Sequence, residues 1–136
     1  MASQLKVDTI TGVTTAGSIA VTGEGNSTTT NLQQGLAKMW ANLNGSGTIA
    51  LRDSLNVGST TDGGTGIYSF SFTNNFSNDD YSSPSSAGDD SAGTSRFIMA
   101  HDGGAATSSY QTRVHFNNGD DSDAENVSTS SLGDLA

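Results

Sequence analysis

The sequence predicts an all-β chain: a short N-terminal β arm followed by an antiparallel β-sandwich knob. Three observations carry that reading. Apolar and polar residues alternate in several short segments, turn residues separate those segments, and there is little helix-forming material. The clearest case is IALRDSLNVGSTTDGGTGIYSFSF, residues 49–72. Ile49, Leu51, Leu55 and Val57 fall on odd positions, with Arg52, Ser54 and Asn56 between them. Tyr68, Phe70 and Phe72 then share one face, and Ser69 and Ser71 the other. Asp53 interrupts the first apolar face, which predicts a bulge near Arg52–Asp53. The connector Thr61–Gly66 is rich in residues that tolerate positive φ, so the whole stretch reads as a β-hairpin.

Composition bounds the rest. The 136 residues suffice for one small domain plus an arm. Only 32% are hydrophobic, and nearly half are Ser, Thr, Asn or Gly. A core built from this chain is thin, and oligomerisation is one physical source of further buried area. The net charge of -9 with five basic residues argues against nucleic acid, whose binding needs Lys and Arg on phosphates. With no cysteine, neither disulfides nor a thiolate metal site is available. No apolar run is long enough to insert in a membrane, and MASQLKVDTI lacks the apolar centre of a signal peptide. The expectation is a soluble protein outside the ordinary secretory route.

Taken in order, residues 1–30 form the arm. Leu5, Val7 and Ile10 mark one short strand, and Ile19 and Val21 another. Two strands alone are marginal in water, so this arm needs a partner chain; the other reading is a frayed terminus. Residues 31–47 form a connector. Within it Asn31 can cap a helical turn over 31–36, and Met39, Ala41 and Leu43 then alternate as a strand from about 37 to 43. The knob spans 48–136. After the hairpin, NNFSNDDYSSPSSAGDDSAGTS is loop-like. Phe97 and Met99 mark a strand, DGGAATSS follows as loop, and Tyr110, Thr112, Val114 and Phe116 mark the next strand. The acidic loop NNGDDSDAE leads to a weak strand from Val127 toward Leu132.

Few residues suggest chemistry. Asp120, Asp121, Asp123 and Glu125 are hard oxygen donors of the kind calcium takes, but their spacing does not match a calcium loop, and solvated turn charges are the simpler reading. Asp79–Asp80 and Asp89–Asp90 read the same way. His101 and His115 lie on different predicted strands and form no His-x-His pair; His115 is expected on the polar face beside Arg113. The serines lack a G-x-S-x-G elbow, and Gly63, Gly64 and Gly66 lack the lysine and helix of a phosphate loop. The sequence therefore predicts no enzyme, no catalytic or metal residue and no cofactor.

A family resemblance rests on three stretches. The opening SQLKVDTI with its following GSIAVTG, the segment GLAKMWANLNGSGTIALRDSLNVGSTTDGGTGIYSFSF, and the ending ENVSTSSLGDLA resemble tail-fibre-like virion structural proteins of marine tailed bacteriophages, of the cyanophage and pelagiphage type. Lys38, Trp40, Asn44 and Gly45 match that family's first strand and turn. Asp53, Ser54, Asn56 and Val57 match its second strand, and Asp62, Gly64, Gly66 and Tyr68 its hairpin. The insert around 82–95 and the polar STSS at 128–131 depart from the family's pattern.

The resemblance implies a non-enzymatic virion component, an intertwined homotrimer with an N-terminal attachment arm and an outward β knob. On that expectation Leu5, Val7, Ile10, Ile19 and Val21 meet neighbouring chains or other virion proteins. Polar loops on the knob are candidates for host contact. Tyr81 with Asp79 and Asp80 leads these, Tyr110 marks a second, and a host-surface glycan is the expected ligand. Two alternatives remain open: a head fibre or capsid decoration protein, and, more remotely, a glycan-degrading enzyme.

Overall fold

The computed structural model describes residues 4–12, 19–23, 28–89 and 95–136. It is all-β, and the chain divides into two compact units, Met1–Leu36 and Ala37–Ala136. In the first, β1 (Ala20–Thr22) pairs antiparallel with β2 (Thr29–Asn31). The helical turn α1 (Leu32–Gly35) follows, started by Asn31, whose side chain accepts from the Gln34 N–H at 3.1 Å. The alternation at Leu5, Val7 and Ile10 does not produce the expected strand: these residues are exposed and unpaired with any sheet among the described residues. Alternation makes a strand only where a neighbour supplies the hydrogen bonds. Parts of the expected arm (13–18 and 24–27) lie outside the described residues.

The second unit is a sandwich of two four-stranded antiparallel sheets. One has the order β4-β3-β10-β7, built from β3 (Met39–Asn44), β4 (Ala50–Leu55), β7 (Ser85–Gly88) and β10 (Asn126–Ser131). The other is β5-β6-β9-β8, from β5 (Val57–Gly64), β6 (Ile67–Phe72), β8 (Arg96–Ala106) and β9 (Ser109–Phe116). Residues 37–47, expected to connect, therefore supply an interior strand, since β3 pairs with both β4 and β10. The core joins Met39, Ala41, Leu43 and Val127 of one sheet to Tyr68, Phe70, Phe72, Tyr110 and Val114 of the other.

The stretch that reads as one hairpin is split between the sheets. At Arg52 the register slips, because Asn42 faces Asp53 while Leu43 faces Leu51. This is the bulge expected at Arg52–Asp53. The extra residue reverses the side-chain alternation, so Leu51 packs against the core while Leu55 turns outward beside Trp40. Asn56 then takes the chain across to the second sheet at φ 60, with its side chain bonded to the backbone N–H and C=O of Asn74 at 2.7 and 2.9 Å. Asparagine tolerates this left-handed conformation better than most residues. The hairpin proper is β5–β6, and most of the expected connector is strand: Asp62 still pairs with Tyr68.

The last strand, β10, is central rather than weak, pairing with β3 on one side and β7 on the other. Its inward Thr129 and Ser131 would be costly in an apolar core. Their hydroxyls meet those of Ser85 and Ser83 at 2.8 and 2.7 Å. Those two serines lie in the stretch expected to be loop.

Candidate functional site

The acidic loop 117–125 is a structural brace. The Asp123 carboxylate accepts from the Gly66 N–H at 2.8 Å and the Tyr68 hydroxyl at 3.2 Å. That hydroxyl also donates to the Gly45 carbonyl at 2.7 Å and accepts from the Ala124 N–H at 3.3 Å. Burial pushes the Tyr68 phenol well above its ordinary pKa, so it stays a neutral donor. Gly45, Gly66 and Tyr68, three residues of the family-like pattern, thus tie two turns to the loop before β10.

Asp121 forms a two-pronged ion pair with Arg113, both contacts at 2.8 Å, and the guanidinium holds its carboxyl below the usual carboxylate range. His115 is not a surface residue as expected. Its Nδ1 lies 3.1 Å from both Asp121 and the Gly119 carbonyl, and its Nε2 is buried without a partner. Asp120 is bonded by the Asn118 amide at 2.6 Å. Among the described residues, no group of three or more His, Asp or Glu is arranged to hold a metal ion.

Asp89 also departs from expectation. It is no solvated loop charge but pairs with Arg96 at 2.6 Å, the two side chains only 13% and 7% exposed. The Arg96 guanidinium lies 4.2 Å from the centre of the Phe116 ring. Asp90 lies outside the described residues.

The structure gives Tyr81 a place in the fold. Its ring packs 4.4 Å from Phe76, 6.0 Å from Phe72 and 6.2 Å from Tyr110. Its hydroxyl donates toward the carbonyls of Ser109 at 2.8 Å and Ala106 at 3.1 Å. Tyr110 is buried in the same cluster. Asp79 and Asp80 remain exposed. Of the three expected contact residues, Tyr81 is thus packed and hydrogen-bonded, while Asp79 and Asp80 stay in solvent beside it.

A different surface does converge. On the outward face of the β4-β3-β10-β7 sheet, side chains from β3, β10 and β7 line an open groove of about 510 Å³. Trp40 and Pro84 are among its apolar lining residues, and Asn42, Ser86, Ser128 and Ser130 supply amide and hydroxyl groups. The ladder fixes their order, since Trp40 faces Ser130, Asn42 faces Ser128, and Ser128 faces Ser86. The Asn42 amide donates to the Ser128 hydroxyl at 3.0 Å, and Arg52 bonds Asn42 and Asn126 at 3.3 and 2.6 Å. Reading the sequence alone missed this groove. Its signal was the outward phase of M-W-A-N-L-N, but the serines that complete it lie more than eighty residues along the chain or in a stretch that reads as loop.

Against protein-family models, curated proteins and solved structures, this chain finds no match.

Proposed function

We propose that this chain is a non-catalytic virion structural protein, a tail fibre or short fibre of a bacteriophage. It assembles as a homotrimer, docks on other virion proteins through its N-terminal arm and presents the sandwich unit for host-surface attachment. The observation that carries this reading is the division of labour along the chain. The sandwich unit closes a core of its own, although Leu55, Phe97 and Met99 stay about half exposed on it. By contrast, no described residue of the first unit is buried, and Leu5, Val7, Ile10 and Val21 stand at 80, 54, 55 and 50% exposure. Apolar side chains kept in water favour a covering partner by roughly 25 cal/mol per Å² buried. The resemblance to tail-fibre-like proteins supplies the setting, a virion on which such an arm finds its dock.

The test is deletion of residues 2–12. Truncated protein is expected to keep the cooperative unfolding of the sandwich unit while its incorporation into particles falls to background. Normal incorporation of the truncated chain contradicts the arm as anchor. Incorporation at the capsid rather than the tail replaces the fibre reading with that of a head fibre or decoration protein.

A further inference from the structure

We infer that the Trp40 groove on the outer face of the β4-β3-β10-β7 sheet is a binding site for a neutral oligosaccharide. The inference rests on the attachment reading only for where such a ligand is met; the groove's own chemistry selects the ligand class. Its volume of about 510 Å³ falls within the range of small-molecule sites. Trp40 presents a large, partly exposed aromatic surface. The electron-rich ring face attracts the C–H groups on the apolar side of a pyranose.

The polar row lies one pleat along the sheet from Trp40. Ser128 accepts a hydrogen bond from Asn42, which leaves its own O–H to donate outward. Ser86 and Ser130 add hydroxyls that both donate and accept. Sugar hydroxyls have that same dual character, and a saccharide ring joins an apolar face to a polar rim at the spacing the sheet provides. No residue lining the groove carries a charge, and the neighbouring Arg52 guanidinium is engaged by the Asn42 and Asn126 amide oxygens. The chain as a whole carries -9, a field that disfavours polyanions, including acidic polysaccharides. A second copy of the chain is a poorer occupant, because an apolar protein face would strip water from the groove's hydroxyls without replacing their hydrogen bonds.

Trp40 is the chain's single tryptophan, so intrinsic fluorescence reports on this groove directly. The probes are maltohexaose, cellohexaose, mannohexaose and chitohexaose, with oligogalacturonate as the acidic comparison, each titrated into the full-length protein. At least one neutral probe is expected to shift the emission saturably and to give a matching calorimetric isotherm, while oligogalacturonate does neither. Trp40→Ala is expected to weaken calorimetric binding by about tenfold or more. Ser86→Arg, at the exposed rim, should do the same and leaves both the core and the fluorophore in place, so the test survives if the first variant folds poorly. The inference is overturned if no neutral probe binds, if the acidic one binds as tightly, or if Ser86→Arg binds like the parent. It is equally overturned if emission follows protein concentration instead of ligand, the sign of a groove filled by another copy. None of these results alters whether the chain is incorporated in a virion, so the two readings fail separately.

Discussion

Replacing Phe76 by alanine is expected to cost about 3–5 kcal/mol, the loss typical of a large aromatic removed from a closed core. Phe76 is 1% exposed although it lies in the irregular connection between β6 and β7. Its ring meets Phe72 at 5.0 Å and Tyr81 at 4.4 Å, and its backbone N–H donates to the Thr107 carbonyl at 2.8 Å. The ring therefore fastens a long connection to the core, while the backbone of the same residue ties it to the β8–β9 turn. Set against a total stability of roughly 5–15 kcal/mol, this one loss leaves a marginal domain. Urea denaturation followed by circular dichroism measures it, as a lower midpoint at an unchanged slope. Tyr81→Ala is expected to lower the midpoint too, because ring and hydroxyl are both engaged. Unaltered midpoints in both variants would mean that the cluster contributes nothing.

Gly66→Ala is the second large effect, expected to exceed about 2 kcal/mol from left-handed strain and steric overlap combined. Gly66 has φ 70, and an added Cβ would sit 2.5 Å from the Val114 carbonyl oxygen and 2.9 Å from the backbone of Ser122. Those atoms are backbone, held by the Ser122-to-Val114 hydrogen bond of 3.0 Å and unable to move alone. Gly47 provides the control. It has nearly the same φ, 67, but open space around it. Gly47→Ala is expected to lose only the conformational part, about 1–2 kcal/mol. Thermal melts of the two variants side by side separate strain from overlap. Equal losses would show that the overlap is relieved at no cost and that the brace around Tyr68 is loose.

Much of the sandwich was legible because its strands carry large residues in strict alternation. Tyr68, Phe70 and Phe72 of β6, and Tyr110, Thr112 and Val114 of β9, point inward as their spacing predicts. The bulge at Arg52 was visible as a charge on an apolar face. Its consequence was not, because the apolar residues resume their odd numbering through the bulge and the crossing at Asn56 while changing sheets. β7 was hidden for another reason. Ser85–Gly88 carries no hydrophobic alternation and becomes a strand only by pairing with β10. β8 runs on from Ala100 to Ala106 through an irregular register, in a stretch whose glycines read as loop. The candidate site was the least legible part. A tyrosine among Asn, Asp and Ser looks like an exposed loop residue, and only the distant partners of Tyr81 show where its ring goes. Trp40 stands in a pattern legible in the sequence, but the groove around it exists only once β3, β10 and β7 lie side by side.

The most direct test of the account is cryo-electron microscopy of intact particles carrying this chain, with the density at its position fitted by the two units. The account predicts three copies around one axis at the tail, with residues 1–36 against the particle and the sandwich units outermost, each Trp40 groove open to solvent. Sandwich units buried against the particle, with the arm free in solvent, would contradict it, as would particles that contain no copy of the chain.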